Sequence, residues 1–355
     1  MQTQRTNPTF AWSVAPGGLV RALHHGATPL AFAPYVTTPR PVPMPVARPH
    51  WYRAPVSRGA RTTCRPNGGD ARMGMDTTTS PAALIDLDRY PLHSPTAARY
   101  QDTVAEARRQ MAERGAAEIP GFVDPAGVAT LVHDADALVE RAHHSGGQGT
   151  AYLEFPDFTL PADHPRLHFA DYAVGAVAYD ITPRSSPLRQ LYEWDPMKDL
   201  IEAILDRGPL SRYADPFGAL NLSVMGRGDQ LQWHFDQTDF VVSLAIQSAE
   251  EGGDFEVAPR IRQSDNERYA DVGAVLRGDR TAVETLAMTA GTLLIFEGRH
   301  SLHRVSPVSG DRWRHVGLLA YDTKPGTVGS DLLRADRYGR TEAYAEPPGT
   351  WPDGI

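Results

Sequence analysis

The apolar positions of this chain follow two rhythms. In the first part, Tyr100, Val104, Ala107 and Met111 recur at helical spacing. Ser94-Pro95 ahead of them reads as an N-cap and a first-turn proline, and Gly115 as the stop. Residues 117–123 read as a short strand. Asp124-Pro125 repeats the cap signal, and Val128, Leu131, Ala135 and Leu138 form a second helical stripe. Both stripes are read as core packing. Short helices are expected at 188–192 and 197–205. Residues 145–185 hold no period and are rich in Gly, Pro, His and aromatics, so they are read as an irregular lid or substrate-facing segment.

From about Ala219 the period shortens to two. Strands are expected at 219–225, 231–238, 240–247, 255–257, 285–288, 292–296, 303–305 and 315–321. Turns such as Gly226-Arg227-Gly228-Asp229 and Glu251-Gly252-Gly253-Asp254 separate them. A helix interrupts the strands within 266–279. Many short strands with Gly-rich turns make a sandwich or barrel, so the fold class is mainly β with flanking helices (α+β). Residues 325–355 are rich in Gly, Pro and charge and read as a tail wrapping the barrel. There is no internal repeat.

Composition alters the picture at the N-terminus. Residues 1–72 hold nine arginines, one acid (Asp70) and 11 of the 30 prolines, a net charge of +8; the remainder carries −16. Proline lacks the N–H and fixes φ, so this stretch forms neither a regular helix nor a central strand. Residues 1–75 are read as a disordered extension: a targeting peptide, a basic arm, or the product of an over-early start before Met73 or Met75, the last preferred. An acidic folded part argues against nucleic acid as partner. No apolar run approaches membrane-spanning length. Cys64 is the sole cysteine, which excludes a disulfide framework or cysteine metal cage and suits the cytoplasm.

Chemistry concentrates in two blocks. In a strand, His234 and Asp236 project to one face with Gln232 and Thr238, while Trp233 and Phe235 go to the other. With 13 histidines, about one His-x-Asp triplet arises by chance, so the motif alone is weak. Downstream stand His300, His303 and His315; His303 is placed as a third ligand, with His300 as the fallback. Two imidazoles and one carboxylate on one face of a metal make the facial triad of non-haem Fe(II) oxygenases. Arg312 and Arg314 share parity on the approach to the last strand. Arg314 is preferred as the anchor of a dicarboxylate, because it enters an apolar strand where a guanidinium needs an anionic partner.

The segments Trp233-His234-Phe235-Asp236, Glu251-Gly252-Gly253-Asp254-Phe255-Glu256, Gly291-Thr292-Leu293-Leu294-Ile295-Phe296 and His303-Arg304-Val305-Ser306-Pro307-Val308-Ser309-Gly310-Asp311 resemble the Fe(II)/2-oxoglutarate-dependent dioxygenases. More narrowly, they look like the ArpA-like group of amino-acid hydroxylases and halogenases. The resemblance covers 216–326, reaches back to about residue 84, and leaves out 1–75. It implies a double-stranded β-helix (jelly roll) at 216–326. Residues 76–215 would then be a helical support and substrate-facing segment and 327–355 a tail, with 76–355 one structural unit.

By this resemblance His234, Asp236 and His303 correspond to the iron ligands and Arg314 to the 2-oxoglutarate anchor. Arg312 is second to it, and Asn221 a weaker co-substrate contact that equally reads as a polar group satisfying a strand end. Halogenase relatives carry a small residue where Asp236 stands, so oxygen insertion is expected. The expected reaction uses Fe(II), 2-oxoglutarate and O2 to hydroxylate a free or carrier-bound amino acid, releasing succinate and CO2. Desaturation and cyclisation remain open. A non-catalytic jelly-roll sensor and a zinc hydrolase are the competing readings. Glu154, Asp157, Asp163 and His164 are candidates for binding a basic substrate, with Arg260, Arg262, Gln237, Thr238, Asp239 and Asp322 near the site. No obligate protein partner is evident.

Overall fold

The computed structural model describes residues 80–344. The Arg/Pro-rich extension lies outside them, as does the end of the tail. Among the described residues, no helix is long and apolar enough to cross a membrane.

The chain opens with α1 (Ala98–Arg114), which ends at Gly115 in the left-handed region as its stop signal requires. Its N-cap is Ala97, three residues past the expected Ser94, because residues 94–97 first close a separate turn. After β1 (Ala116–Ile119), α2 (Pro125–Leu138) starts as its cap predicts: the Asp124 carboxylate accepts from Gly127 N at 2.7 Å.

The expected irregular segment is corrected next. It contains β2 (His143–Thr150) and β3 (Phe169–Ala178), a long antiparallel hairpin in register from His143↔Ala176 to Thr150↔Phe169. β2 reads His-His-Ser-Gly-Gly-Gln-Gly-Thr. Such a sequence has little strand propensity of its own, and pairing with β3 supplies what propensity does not. Only 151–168, between the two strands, is irregular apart from a short 3-10 turn.

Two short helices then follow as expected, α3 (Pro187–Glu193) and α4 (Asp195–Leu205), before the two-residue β4 (Ser211–Arg212). The strand-rich part comprises β5 (Leu220–Met225), β6 (Leu231–His234), β7 (Val241–Gln247) and β8 (Phe255–Ala258). It continues through α5 (Tyr269–Leu276), β9 (Glu284–Leu286), β10 (Leu293–Phe296), β11 (Leu302–Val305) and β12 (Arg314–Leu319). β13 (Tyr321–Asp322) pairs with β4. Finally the segment read as a tail holds a helix, α6 (Asp331–Tyr338).

Two antiparallel sheets result, ordered β1-β10-β7-β12-β5-β3-β2 and β6-β11-β8-β9. From β5 to β12 the chain passes back and forth between them, which is the winding of a jelly roll. The outer face of the large sheet buries Leu222, Val224, Val242, Leu244, Leu293 and Ile295 against α1 to α4. Its inner face turns Met225, Leu294 and Phe296 toward Phe255, Val257 and Val305 of the small sheet. α5 covers the small sheet's other face, against Trp233, Phe235, Ala258 and Leu302.

Gly127 sits inside α2 where a Cβ would lie 2.3 Å from the Leu84 carbonyl oxygen. Helix propensity alone makes Gly127→Ala stabilising by roughly 1 kcal/mol. The contact reverses that sign, so the variant unfolds at lower urea than the parent chain; a higher midpoint would refute the close approach.

Candidate metal centre

The site is assembled by two neighbouring strands and one turn. β6 and β11 pair with His234 directly opposite His303, and cross-strand partners share a face. Their ring centroids lie 4.2 Å apart. The strand expected over 231–238 ends at His234, so Asp236 is not held by strand alternation. Its N–H instead donates to the Gly298 carbonyl at 3.1 Å, and this turn brings the carboxylate back to the histidines. Asp236 Oδ2 is 3.2 Å from His303 Nε2, and Oδ1 is 3.9 Å from His234 Nε2. One ligand atom from each residue lies within 4.8 Å of the others, and no other group of three His, Cys, Asp or Glu does so among the described residues.

Backbone carbonyls set the tautomers. His234 Nδ1 donates to Gln232 O at 2.8 Å and His303 Nδ1 to Ser301 O at 2.9 Å. A carbonyl only accepts, so both Nδ1 atoms carry the proton and both Nε2 atoms present a lone pair. Burial, and next the charge of His303, lower the pKa of His234 to about 4. Burial would likewise depress His303, but Asp236 outweighs it and raises that group. Burial would raise Asp236, but the charge of His303, then that of His234, hold it below its usual range. Asp236 Oδ2 is buried and, despite its approach to His303, has no partner in hydrogen-bond geometry. Two imidazole lone pairs beside an orphaned carboxylate oxygen form a donor set that a divalent cation completes.

Gly298 is the part of this site that the sequence did not announce. A Cβ there would lie 2.2 Å from Asp236 Oδ2 and 2.9 Å from both Cβ and Cγ of the same side chain. The glycine is thus a cradle for the carboxylate.

The remaining candidates sort by burial. Arg314 is 5% exposed and has only Met225 Sδ, at 3.9 Å, as a side-chain contact of hydrogen-bond type. Burial pushes its pKa down to about 10, opposed by the charge of Asp254. Arg312 is exposed and spends its guanidinium on the Ser248 and Ala249 carbonyls. Asn221 is buried on the inner face of the large sheet; its Nδ2 donates to the Tyr338 hydroxyl at 2.9 Å and its Oδ1 has no partner. His300 stays outside the triad, and His315 is buried against Asp136 at 3.1 Å.

The acidic candidates do not gather at the triad. Glu154 pairs with Arg166 and Asp157 caps Thr159. Their segment borders a separate cavity of about 410 Å³ lined by Tyr152, Glu154, Phe155, His164, Arg166 and Tyr269. It touches β6 through Tyr152 against Phe235, the side away from the histidines. Arg260 ties Glu297 to the end of α1, and Arg262 stacks 3.9 Å over Phe235. Arg299 holds Asp239 at 2.5 Å and the Gln237 carbonyl. Asp322 closes its own turn with Thr327 at 2.8 Å.

A protein-family model described as Halogenase D matches residues 100–328. No curated protein matches the chain. Among solved structures, an oxidoreductase of the 2OG-Fe(II) oxygenase family from Burkholderia pseudomallei is similar at 17% identity and TM-score 0.41, over 63% of this chain and 92% of that one. A Pseudomonas putida prolyl-4-hydroxylase is similar at 14% identity and TM-score 0.40, over 61% and 97%. The epimerase SnoN, solved with Fe3+, alpha ketoglutarate and nogalamycin RO, is similar at 16% identity and TM-score 0.44, over 71% and 97%.

Gly298→Ala should displace the Asp236 carboxylate and weaken Fe(II) binding, by at least about tenfold if one ligand-strength contact of ~1.4 kcal/mol is lost. Equilibrium dialysis checks this, and unchanged affinity in a folded variant would remove the cradle from the site.

Proposed function

The chain belongs to the halogenase D family of Fe(II)/2-oxoglutarate oxygenases, and from that premise we propose that it hydroxylates a free or carrier-bound amino acid or a related small metabolite. One observation carries the co-substrate's place. Arg314 is a buried guanidinium that makes no ion pair among the described residues. An unpaired buried charge is costly, so its counterion comes from a ligand. Arg314 pairs with Met225 at the turn end of β5, whereas His234 lies at the far end of β6. Three residues of strand separate those levels, about 10 Å at ~3.3 Å per residue. A five-carbon dicarboxylate that chelates metal at one end reaches a guanidinium at the other.

In this reading His234 Nε2, His303 Nε2 and the Asp236 carboxylate hold the iron. Arg314 receives the distal carboxylate in its planar fork, and Asn221 remains a polar contact in the same interior. Arg312, committed to backbone carbonyls at the surface, takes no part. When bound, ferrous iron with 2-oxoglutarate and O2 supplies the oxidising power: one oxygen atom goes to the substrate C–H, the other to succinate, and CO2 leaves. The protein's own work is orientation. The two Nδ1–H···O=C bonds fix the rings, Gly298 fixes the carboxylate, and Phe255 and Phe296 wall His303 at centroid distances of 5.6 and 4.9 Å.

Asp236 also separates two outcomes. A carboxylate among the ligands fills a coordination position and adds negative charge, so a halide is disfavoured there on steric and electrostatic grounds. Oxygen insertion is therefore proposed over halogenation, with desaturation or cyclisation as related outcomes of the same centre.

The full chain, given Fe(II) and 2-oxoglutarate without oxygen, should develop a weak visible charge-transfer band, and in air should release succinate with an accepted amino acid. A folded, iron-loaded protein lacking both would sink the reading. Asp236→Ala should abolish turnover, and full retention would remove Asp236 from the ligand set. Arg314→Gln should raise the 2-oxoglutarate requirement roughly 10- to 100-fold, the loss of charge-assisted hydrogen bonds of ~1.5–3 kcal/mol. An unchanged requirement would place the anchor elsewhere.

A further inference from the structure

α6 brings an unmatched cation to the open side of the barrel interior. The helix is capped by the Ser330 hydroxyl, which accepts from Leu333 N, and it stops at Gly339 in the left-handed region. Both neighbours of Arg337 tie it to the barrel. The Tyr172 hydroxyl of β3 donates to Asp336 Oδ1 at 2.9 Å, and Asn221 Nδ2 of β5 donates to the Tyr338 hydroxyl at 2.9 Å. Arginines recur at every third position here. Arg334 meets the buried Asp215 at 3.2 Å, and Arg340 grips the buried Asp180 at 2.6 and 2.5 Å. Arg337, between them, is half-buried and makes no side-chain hydrogen bond or ion pair among the described residues. Because its two neighbours bond Tyr172 of β3 and Asn221 on the inner face of β5, Arg337 lies on the side of α6 that meets the interior.

The interior it borders is equally unfinished. Asn221 Oδ1 on β5 and Gln232 Oε1 on β6 are buried acceptors without a partner. Gln232 shares the face of His234, two residues on. Arg314 already serves the far end of the cavity, so a second free guanidinium is not needed by the co-substrate. We infer that Arg337 binds a carboxylate of the substrate, so that the site takes an acid bearing a hydrogen-bond donor and rejects the corresponding carboxamide. This deepens the oxygenase reading and rests on it. A guanidinium half out of water holds a carboxylate through two parallel N–H···O bonds, which a neutral amide cannot reproduce.

The test is a calorimetric titration of the full chain, loaded with Fe(II) and 2-oxoglutarate under nitrogen, with the twenty common L-amino acids and their carboxamides. The parent protein should bind at least one acid ten times or more tighter than its amide. Arg337→Gln should lose that discrimination, Arg337→Lys should keep part of it, and the 2-oxoglutarate dissociation constant should stay within twofold in both. Equal binding of acid and amide by Arg337→Gln and the parent, no acid bound by an iron-loaded parent, or a shift in 2-oxoglutarate affinity instead would each overturn the inference and leave the oxygenase reading standing. If the parent binds neither iron nor 2-oxoglutarate, the oxygenase reading fails, and the same acid-against-amide titration of the metal-free chain still decides the role of Arg337.

Discussion

Two backbone carbonyls, those of Gln232 and Ser301, govern what this chain can do. Each accepts the Nδ1–H of the imidazole two residues on or two residues further along the strand entry, so both Nε2 lone pairs face the same point. The β6–β11 register then sets the rings side by side. That register is defended by the opposite face. Trp233 and Phe235 are packed with Leu302 and α5, and a slip of one residue would drive them inward and the ligands out. The candidate metal centre and the hydrophobic packing of the small sheet are therefore one constraint seen from two sides.

The interior between the sheets is built against its own stability. Arg314 is buried without a counterion, and Asn221, Gln232 and Ser145 each keep a buried polar atom without a partner. Elsewhere the chain matches its buried charges with care: Arg340 with Asp180, Arg334 with Asp215, Arg189 with Glu193. Tyr152, Gln190, His315 and Tyr321 also keep one such atom elsewhere, but among the described residues only in this interior do unmatched groups gather beside an unpaired guanidinium, as a site completed by a ligand requires.

Much of this was legible in the sequence where periodicity was strong. The stripes of α1 and α2 and most strands after Leu220 fall close to where their spacing put them, and His234 and His303 meet as expected. Asp236 arrives by a different route, through a turn held by Gly298, because β6 ends at His234, two residues before it. β2 was hidden since its glycines and histidines carry no strand preference; β3, itself paired with β5, specifies it from outside. α6 had both of its end signals, Ser330 and Gly339, but the surrounding Gly, Pro and charge suggested a tail. Parity could not separate Arg312 from Arg314; burial did.

Residues 236 and 298 act as a matched pair. The carboxylate at 236 occupies the space a side chain at 298 would need, and the glycine at 298 leaves that space free. A small residue at 236 would open a gap against Gly298 beside the two imidazoles. A free anion would suit such a gap. With Asp236 present the protein supplies the anion itself, covalently and in an orientation set by how the turn at 297–300 meets the end of β6.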